Sequence, residues 1–316
     1  MKGRKRIAVL IAGLDREYQQ SLLWGMEHRT RELGIDLCVF ACRGFGAPEE
    51  AACDMSDAVM SLPELDRFDG VAVLCSTMPS GAAAEQIRRE LARRPELPKV
   101  SVDCPLPWCV EVTFDDLTCQ RALVGHLIEQ HGGRRFALVS GPRDNPVAAG
   151  RLAACRQVLA EHGITVPPTD ELDGGWTREG GRRAAVALLK REGALPDAVI
   201  CGNDDMALGL METMRDAGVS VPGELLVTGF DATREAVGSG LTTIRRPVRD
   251  AGLCMVDVLA AWMDGYRPTT WVMRLPAELI YGISCGCALR PERMREYVRL
   301  LAEERRAVER SLSQAT

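Results

Sequence analysis

The feature that most limits what this chain can become is an alternation. Short apolar runs recur along it, each followed by a polar cluster and then a stretch of helical period. Residues 197–232, DAVICGNDDMALGLMETMRDAGVSVPGELLVTGFDA, contain one complete unit. Ala198–Ile200 is apolar, and Gly202-Asn203-Asp204 interrupts it. Met206, Leu210 and Met214 then recur at helical spacing, with Ala207 and Met211 beside them. Gly218 and Pro222 supply a stop. Leu225–Val227 is apolar again, and Asp231 lands just past its end. The pattern predicts strand, helix, strand, with Asn203 and Asp231 at the carboxyl ends of neighbouring strands. Ligands bind there in open α/β sheets.

The same alternation runs almost throughout. Strands are expected at Ile7–Ala12, Ile35–Ala41, Val71–Leu74, Lys99–Val102, Val110–Phe114 and Phe136–Ser140. Helices are expected over Tyr18–Leu33, Pro48–Met60, Ala82–Arg94, Leu117–Gln130, Ala148–His162, Arg178–Arg191 and Val248–Met263. Such alternation implies βαβ units, a mostly parallel sheet and right-handed crossovers. The strands are too many for one sheet of usual width. Two doubly wound parallel-sheet lobes are the economical answer, with a boundary where Asp115-Asp116 starts a fresh alternation. A chain crossing more than once between two lobes makes a hinge with a cleft.

Composition bounds the function classes. The formal net charge of this 316-residue chain is −5, so its surface as a whole does not attract a phosphate backbone. No apolar run reaches membrane-spanning length. MKGRKRIAVLIAGLD imitates a signal peptide, but Ile7–Ala12 is short and reads better as a first strand. Twelve cysteines are scattered, mostly inside apolar segments, which points to a reducing compartment, the cytoplasm. Cys285-Gly-Cys287 has no second C-x-C or C-x-x-C pair to complete a zinc site, and no metal or cofactor is expected.

Enzyme motifs are scarce. There is no G-x-x-x-x-G-K-[ST] loop, and RGFGAPEE carries only two glycines of a dinucleotide fingerprint. The four histidines, His28, His126, His131 and His162, form no H-E-x-x-H array, and His28, His131 and His162 lie at or near helix ends. GPRDNP is not a nucleophile elbow. No activated nucleophile is apparent, and the expectation is a binding protein, not an enzyme.

Residues 291–316 differ in kind. Met294, Leu301 and Val308 fall seven apart, with Val298 and Leu312 at the intermediate heptad places and Arg305 interrupting the seam. Two readings stand equally: a short coiled coil, or a terminal helix packed on its own domain.

Three segments, CGNDDMALGLMETMRDAGVSVPGELLVTGFDA, FALVSGPRDNPVAAGRLAACRQVLAEHGI and LTTIRRPVRDAG, occur in an order that resembles the ligand-sensing core of the LacI/GalR family. That core belongs to the periplasmic-binding-protein-like type I superfamily. The resemblance covers about residues 5–287. It implies two α/β lobes joined by three crossovers, 1–115 with 243–273 and 116–242 with 274–287, followed by a signalling or dimerisation helix at 288–316. It implies an effector in the cleft, contacted by Arg151, Asn203, Asp231 and the aromatic Trp176. Tyr18, Asp115 and Ser76 (with Thr77 beside it) would line the rim from other strand ends. Asp231 and Arg151 suit vicinal hydroxyls, and an aromatic face suits the C–H face of a sugar ring. Each residue also has a structural reading. Arg151 could pair with Asp144 or Glu179, and Asn203 or Asp204 could cap a helix.

The chain departs from the family in one respect. The family's N-terminal helix-turn-helix and hinge helix have no counterpart before Ile7, and MKGRKR is too short to read a groove, so no DNA-binding element is expected within these residues. The C-terminal helix resembles that of sensor modules fused ahead of an output domain; a fused or separate output is implied. The expectation is therefore a cytoplasmic, homodimeric, sugar-like effector sensor for transcription regulation or related signalling. The alternative is an exported solute-binding protein of a transporter.

Overall fold

A computed structural model describes residues 3–14, 16–42, 64–74, 82–288 and Arg295. The expected helix Pro48–Met60, Ser76 and nearly all of 288–316 lie outside the described residues. The first lobe opens with β1 (Arg6–Ala12), α1 (Glu17–Leu33), β2 (Asp36–Cys42), β3 (Gly70–Val73), α2 (Ala82–Ala92), β4 (Lys99–Val102) and β5 (Val110–Phe114). The second runs through α3 (Asp116–Glu129), β6 (Phe136–Ser140), α4 (Pro146–Glu161), β7 (Glu171–Asp173), α5 (Arg178–Lys190), β8 (Ala198–Cys201), α6 (Asp204–Asp216), β9 (Leu226–Thr228), α7 (Arg234–Gly238) and β10 (Thr243–Arg245). The chain then makes α8 (Val248–Met263), β11 (Val272–Leu275) and β12 (Glu278–Ile280).

Two parallel sheets result. One has six strands in the order β11-β5-β4-β3-β1-β2, the other four in the order β7-β6-β8-β9. Strands of such sheets are covered on both faces and read as continuous apolar runs. In β1, Ile7, Val9 and Ile11 face Leu22 and Met26 of α1 and Met255 and Leu259 of α8. Ala8 and Leu10 face Ile87 and Leu91 of α2 on the other side. In the second lobe, Val139, Val199 and Val227 pack against Met206, Leu210 and Met214, the periodic stripe of α6.

Three segments connect the lobes: the link from β5 to α3, Arg246-Pro247 between β10 and α8, and 276–277 between β11 and β12. The Asp115 N–H donates to the Leu275 carbonyl at 2.9 Å and so ties the first connection to the third. The partition differs slightly from the expected one. Thr243–Arg245 pairs antiparallel with Glu278–Ile280, and Ile244 packs in the second lobe's core. Val272–Leu275 instead joins the six-stranded sheet beside β5. Residue pattern alone does not tell which of two sheets a strand of three or four residues will join.

Candidate functional site

The wall of the second lobe is built where three parallel strands end. Arg151, on the second turn of α4, reaches across those ends. Its Nη1 donates to the Gly202 carbonyl at 2.5 Å and its Nη2 to Asp231 Oδ1 at 3.4 Å. Its guanidinium lies 3.6 Å from the centroid of the Phe230 ring and 5.3 Å from that of Trp176. Trp176 is buried, and its indole fits against Gly141 and Gly202. A Cβ on Gly141 would stand 2.1 Å from the ring, so only glycine admits the indole there.

Asn203 holds this wall in place. Its Oδ1 accepts the Met206 N–H at 3.0 Å, capping α6, and its Nδ2 donates to the Trp176 carbonyl at 3.2 Å. Its neighbour Asp204 is fully buried, accepting from the Thr243 hydroxyl at 2.6 Å and the Thr233 N–H at 2.7 Å. Asp205 points away, 3.8 Å from Arg16 of the first lobe.

The facing wall and the floor come from the first lobe and the connections. Tyr18, in the first turn of α1, buries its hydroxyl with no hydrogen-bond partner among the described residues. Beneath it Arg246, in the second connection, has a side chain only 3 % exposed. Its Nη1 donates to Asp103 Oδ2 at 2.6 Å, and its Nε donates to Asp116 Oδ1 at 2.9 Å, with Nη2 on the other Asp116 oxygen. One buried guanidinium thus joins the end of β4, the start of α3 and the connection that carries it. At the rim, Arg16 Nη1 donates to the Trp176 carbonyl at 2.8 Å, and the Arg234 N–H donates to Glu17 Oε2 at 3.2 Å. Both bonds run from one lobe to the other.

Backbone strain gathers here as well. Five non-glycine residues among those described have positive φ, and Asp103 (φ 49°), Trp176 (φ 62°) and Asp231 (φ 108°) are three of them. Such conformations persist where surrounding structure enforces them, and they concentrate at binding sites.

The electrostatics follow from burial. Desolvation raises the Asp231 carboxyl above its ordinary range, and Arg151 and Arg246 only partly oppose it. Asp204 is raised well above that range by burial and then by Asp231. Burial, and next Asp103, raise the Tyr18 phenol. Arg151 is lowered by burial and then by Arg246. Burial also works against Arg246, but Asp103 and Asp116 more than reverse it and leave its affinity for the proton raised.

The fold brings Tyr18, Arg151, Trp176, Asn203 and Asp231 together at the junction of the two lobes. Arg151 pairs with Asp231, not with Asp144 or Glu179. Asp115 caps α3 through the Thr118 N–H at 3.4 Å, and its neighbour Asp116 is the one that meets the floor arginine. Asp103, Asp116, Arg246 and Phe230 had no role assigned from sequence. Asp103 was findable, since it follows β4 as Asp231 follows β9. Arg246 stood inside the segment LTTIRRP, but its partners lie 130 and 143 residues away.

The reading of Cys285-Gly-Cys287 as lacking a second ligand pair is corrected. His126 and His131 stand beside both cysteines, with the four ligand atoms within 4.8 Å of one another. The separation in sequence hid the arrangement.

Among the described residues, no helix is long and apolar enough to cross a membrane. Residues 124–285 match the family model described as a periplasmic binding protein-like domain. The chain is 30 % identical over 263 residues to the HTH-type transcriptional repressor PurR of Vibrio atlanticus (strain LGP32), covering 81 % of this chain and 73 % of that protein. It is 29 % identical over 262 residues to the ribose operon repressor of Escherichia coli (strain K12), covering 80 % and 74 %. The solved structure of the Lac repressor dimer bound to operator and the anti-inducer ONPF superposes with a TM-score of 0.75 at 23 % identity, over 90 % of this chain and 94 % of that one. These relatives are repressors, and nothing in them favours the transporter alternative. The chain belongs to the LacI/GalR family, and its two lobes form the effector-sensing domain of that family's transcriptional regulators.

Proposed function

We propose that the cleft binds one small, neutral, hydroxyl-rich molecule of the sugar class, and that binding holds the lobes closed. The observation that carries this reading is the pair of unsatisfied donors at the lobe junction. Among the described residues, the Tyr18 hydroxyl and Arg151 Nε are both buried without a partner, on facing walls. A ligand oxygen between them would relieve both, since unsatisfied buried polar groups are costly. Two guanidiniums stand among the carboxylates of Asp103, Asp116 and Asp231, which favours a neutral ligand over a phosphorylated one. Trp176 offers a flat apolar face to ring C–H groups. Asp231, Arg151, Trp176 and Tyr18 are the contacts in this reading. Asn203 acts mainly by orienting Trp176, and Asp115 contributes at the rim.

Closure requires higher affinity for the closed arrangement. The bonds from Arg16 to Trp176 and from Arg234 to Glu17 are ones such a state would keep. The chain works in the cytoplasm as a homodimer, performs no reaction on its ligand, and passes lobe rotation on through the residues after 287 to a fused or separate output. A thermal-shift screen across sugars, nucleosides and polyols, with ribose included, tests the reading. A ligand at a hundred times its Kd adds about 2.7 kcal/mol, or roughly 5–10 °C in Tm. Arg151→Ala and Asp231→Ala should each abolish that shift while the apo protein still melts cooperatively. A shift that persists in both variants removes the site from consideration.

A further inference from the structure

A second constellation lies at the far end of α3 from the floor of the cleft. His126 occupies the last turn of α3. The turn after it, closed by Gly132 N–H to the Ile128 carbonyl and Gly133 N–H to the Leu127 carbonyl, folds His131 back beside it. Cys285 ends a short helical turn, 283–285, and Gly286 follows at φ 92°. The left-handed backbone favours glycine there, and a Cβ would stand tightly, 3.1 Å from the His131 ring. That turn aims both sulfurs at the two imidazoles.

The distances are those of a coordination shell. His126 Nε2 lies 3.1 Å from His131 Nε2, 3.2 Å from Cys287 Sγ and 3.6 Å from Cys285 Sγ, and His131 Nε2 lies 3.5 Å from Cys287 Sγ. A tetrahedron with metal–nitrogen bonds of about 2.05 Å and metal–sulfur bonds of about 2.3 Å has N···N edges of about 3.3 Å and N···S edges of about 3.5 Å. These four edges agree within a few tenths of an ångström, and all four ligand atoms lie within 4.8 Å of one another. Hydrogen bonding alone does not account for the convergence. Three groups approach His126 Nε2, which carries either one proton or one lone pair. A cation at the centre satisfies all four atoms at once.

The geometry points to a zinc site: His126 and His131 through Nε2, with Cys285 and Cys287 as thiolates, hold one Zn2+ in a closed tetrahedral shell. Two thiolates and two neutral imidazoles leave the site with no net charge, which suits partly buried ligands. Mixed S2N2 tetrahedral donors select zinc among common divalent ions. Four protein ligands leave no open position, so the ion is structural and not catalytic. Binding displaces the two thiol protons to solvent, without redox change. The site clamps residues 285–287 to one end of α3, whose other end, Asp116, is held by Arg246. Over its 14 residues α3 spans roughly 20 Å, so the ion sits well away from the cleft.

The test uses the full chain, untagged and purified under reducing conditions, with zinc counted by inductively coupled plasma mass spectrometry. About one zinc per chain is expected, and Tm should fall on chelation and recover with Zn2+. His131→Ala and the double change Cys285→Ser, Cys287→Ser should each lower zinc affinity by more than the roughly 10–100-fold seen when only outer-shell partners are lost. Where a variant fails to fold, the wild-type protein refilled with Co2+ decides. Tetrahedral d–d bands with thiolate charge transfer support the site, and an octahedral spectrum overturns it. Absence of bound metal, a different metal, or zinc content unchanged in the variants overturns it equally. Ligand binding in the cleft is measured separately, so failure of either proposal leaves the other standing.

Discussion

Tyr18→Phe removes one oxygen and separates stability from binding. In the structure that oxygen is buried, has no partner among the described residues, and sits within the field of Asp103, Arg246, Asp231 and Arg151. A buried hydroxyl without a hydrogen bond costs about 1–3 kcal/mol relative to water. The aromatic ring stays, so the core contacts of α1 are kept and the void is one atom in size. The apo variant should therefore be more stable than the parent, by about 1 kcal/mol, which is roughly 2–4 °C in Tm for a domain of this scale. Binding should move the other way. A ligand hydroxyl that meets the Tyr18 oxygen loses about 1–2 kcal/mol without it, or roughly 5- to 30-fold in Kd.

The assay is paired: apo melting by circular dichroism, and calorimetric titration with the compound giving the largest shift in the screen. Both effects should be flat from pH 5 to pH 9, because burial and Asp103 raise the phenol further from that window. An apo Tm lower by several degrees means that the hydroxyl has a partner and the cleft argument loses its main support. An unchanged Kd means that the oxygen does not face the ligand.

Arg246→Met leaves Asp103 and Asp116 without their buried cation, and about 3–5 kcal/mol of stability should be lost in denaturant melts; a loss below 1 kcal/mol would mean the floor is solvated. Asp231→Asn tests a sign. The folded protein raises this carboxyl, so its neutral form is favoured in the fold, and wild-type stability relative to the variant should be greatest below about pH 4 and decline as pH rises through the folded pKa. A relative stability that climbs with pH instead would show Arg151 and Arg246 outweighing burial. Asn203→Ala should cost about 1–2 kcal/mol through the lost cap of α6, and Asn203→Asp should restore the cap but not the bond to the Trp176 carbonyl. If Asp restores ligand affinity completely, the amide does not position Trp176.

What was legible in this sequence follows from range. Elements were readable because a period of 3.6 or an apolar run is local: Val248–Met263 and Phe136–Ser140 fall where the pattern placed them. Asp231 and Asn203 were readable because a parallel sheet puts the ends of its strands on one edge, so a polar residue just after an apolar run already has an address. Arg246 had no such address. Its function depends on two carboxylates from β4 and α3, and nothing periodic joins residues 103, 116 and 246. The same holds for His126, His131, Cys285 and Cys287. Each pair is local and unremarkable, and only the packing of residues 283–285 near β9 and the end of α3 makes them neighbours. Even at the cleft, type and position did not fix role. Asn203 reads equally well as a ligand contact or a helix cap, and its bonds to Met206 and Trp176 show that one amide can cap a helix and aim an aromatic ring together. Chemistry that needs partners from both lobes becomes visible only when the crossings are known. In a hinged protein those are the contacts most sensitive to whether the cleft is open or closed.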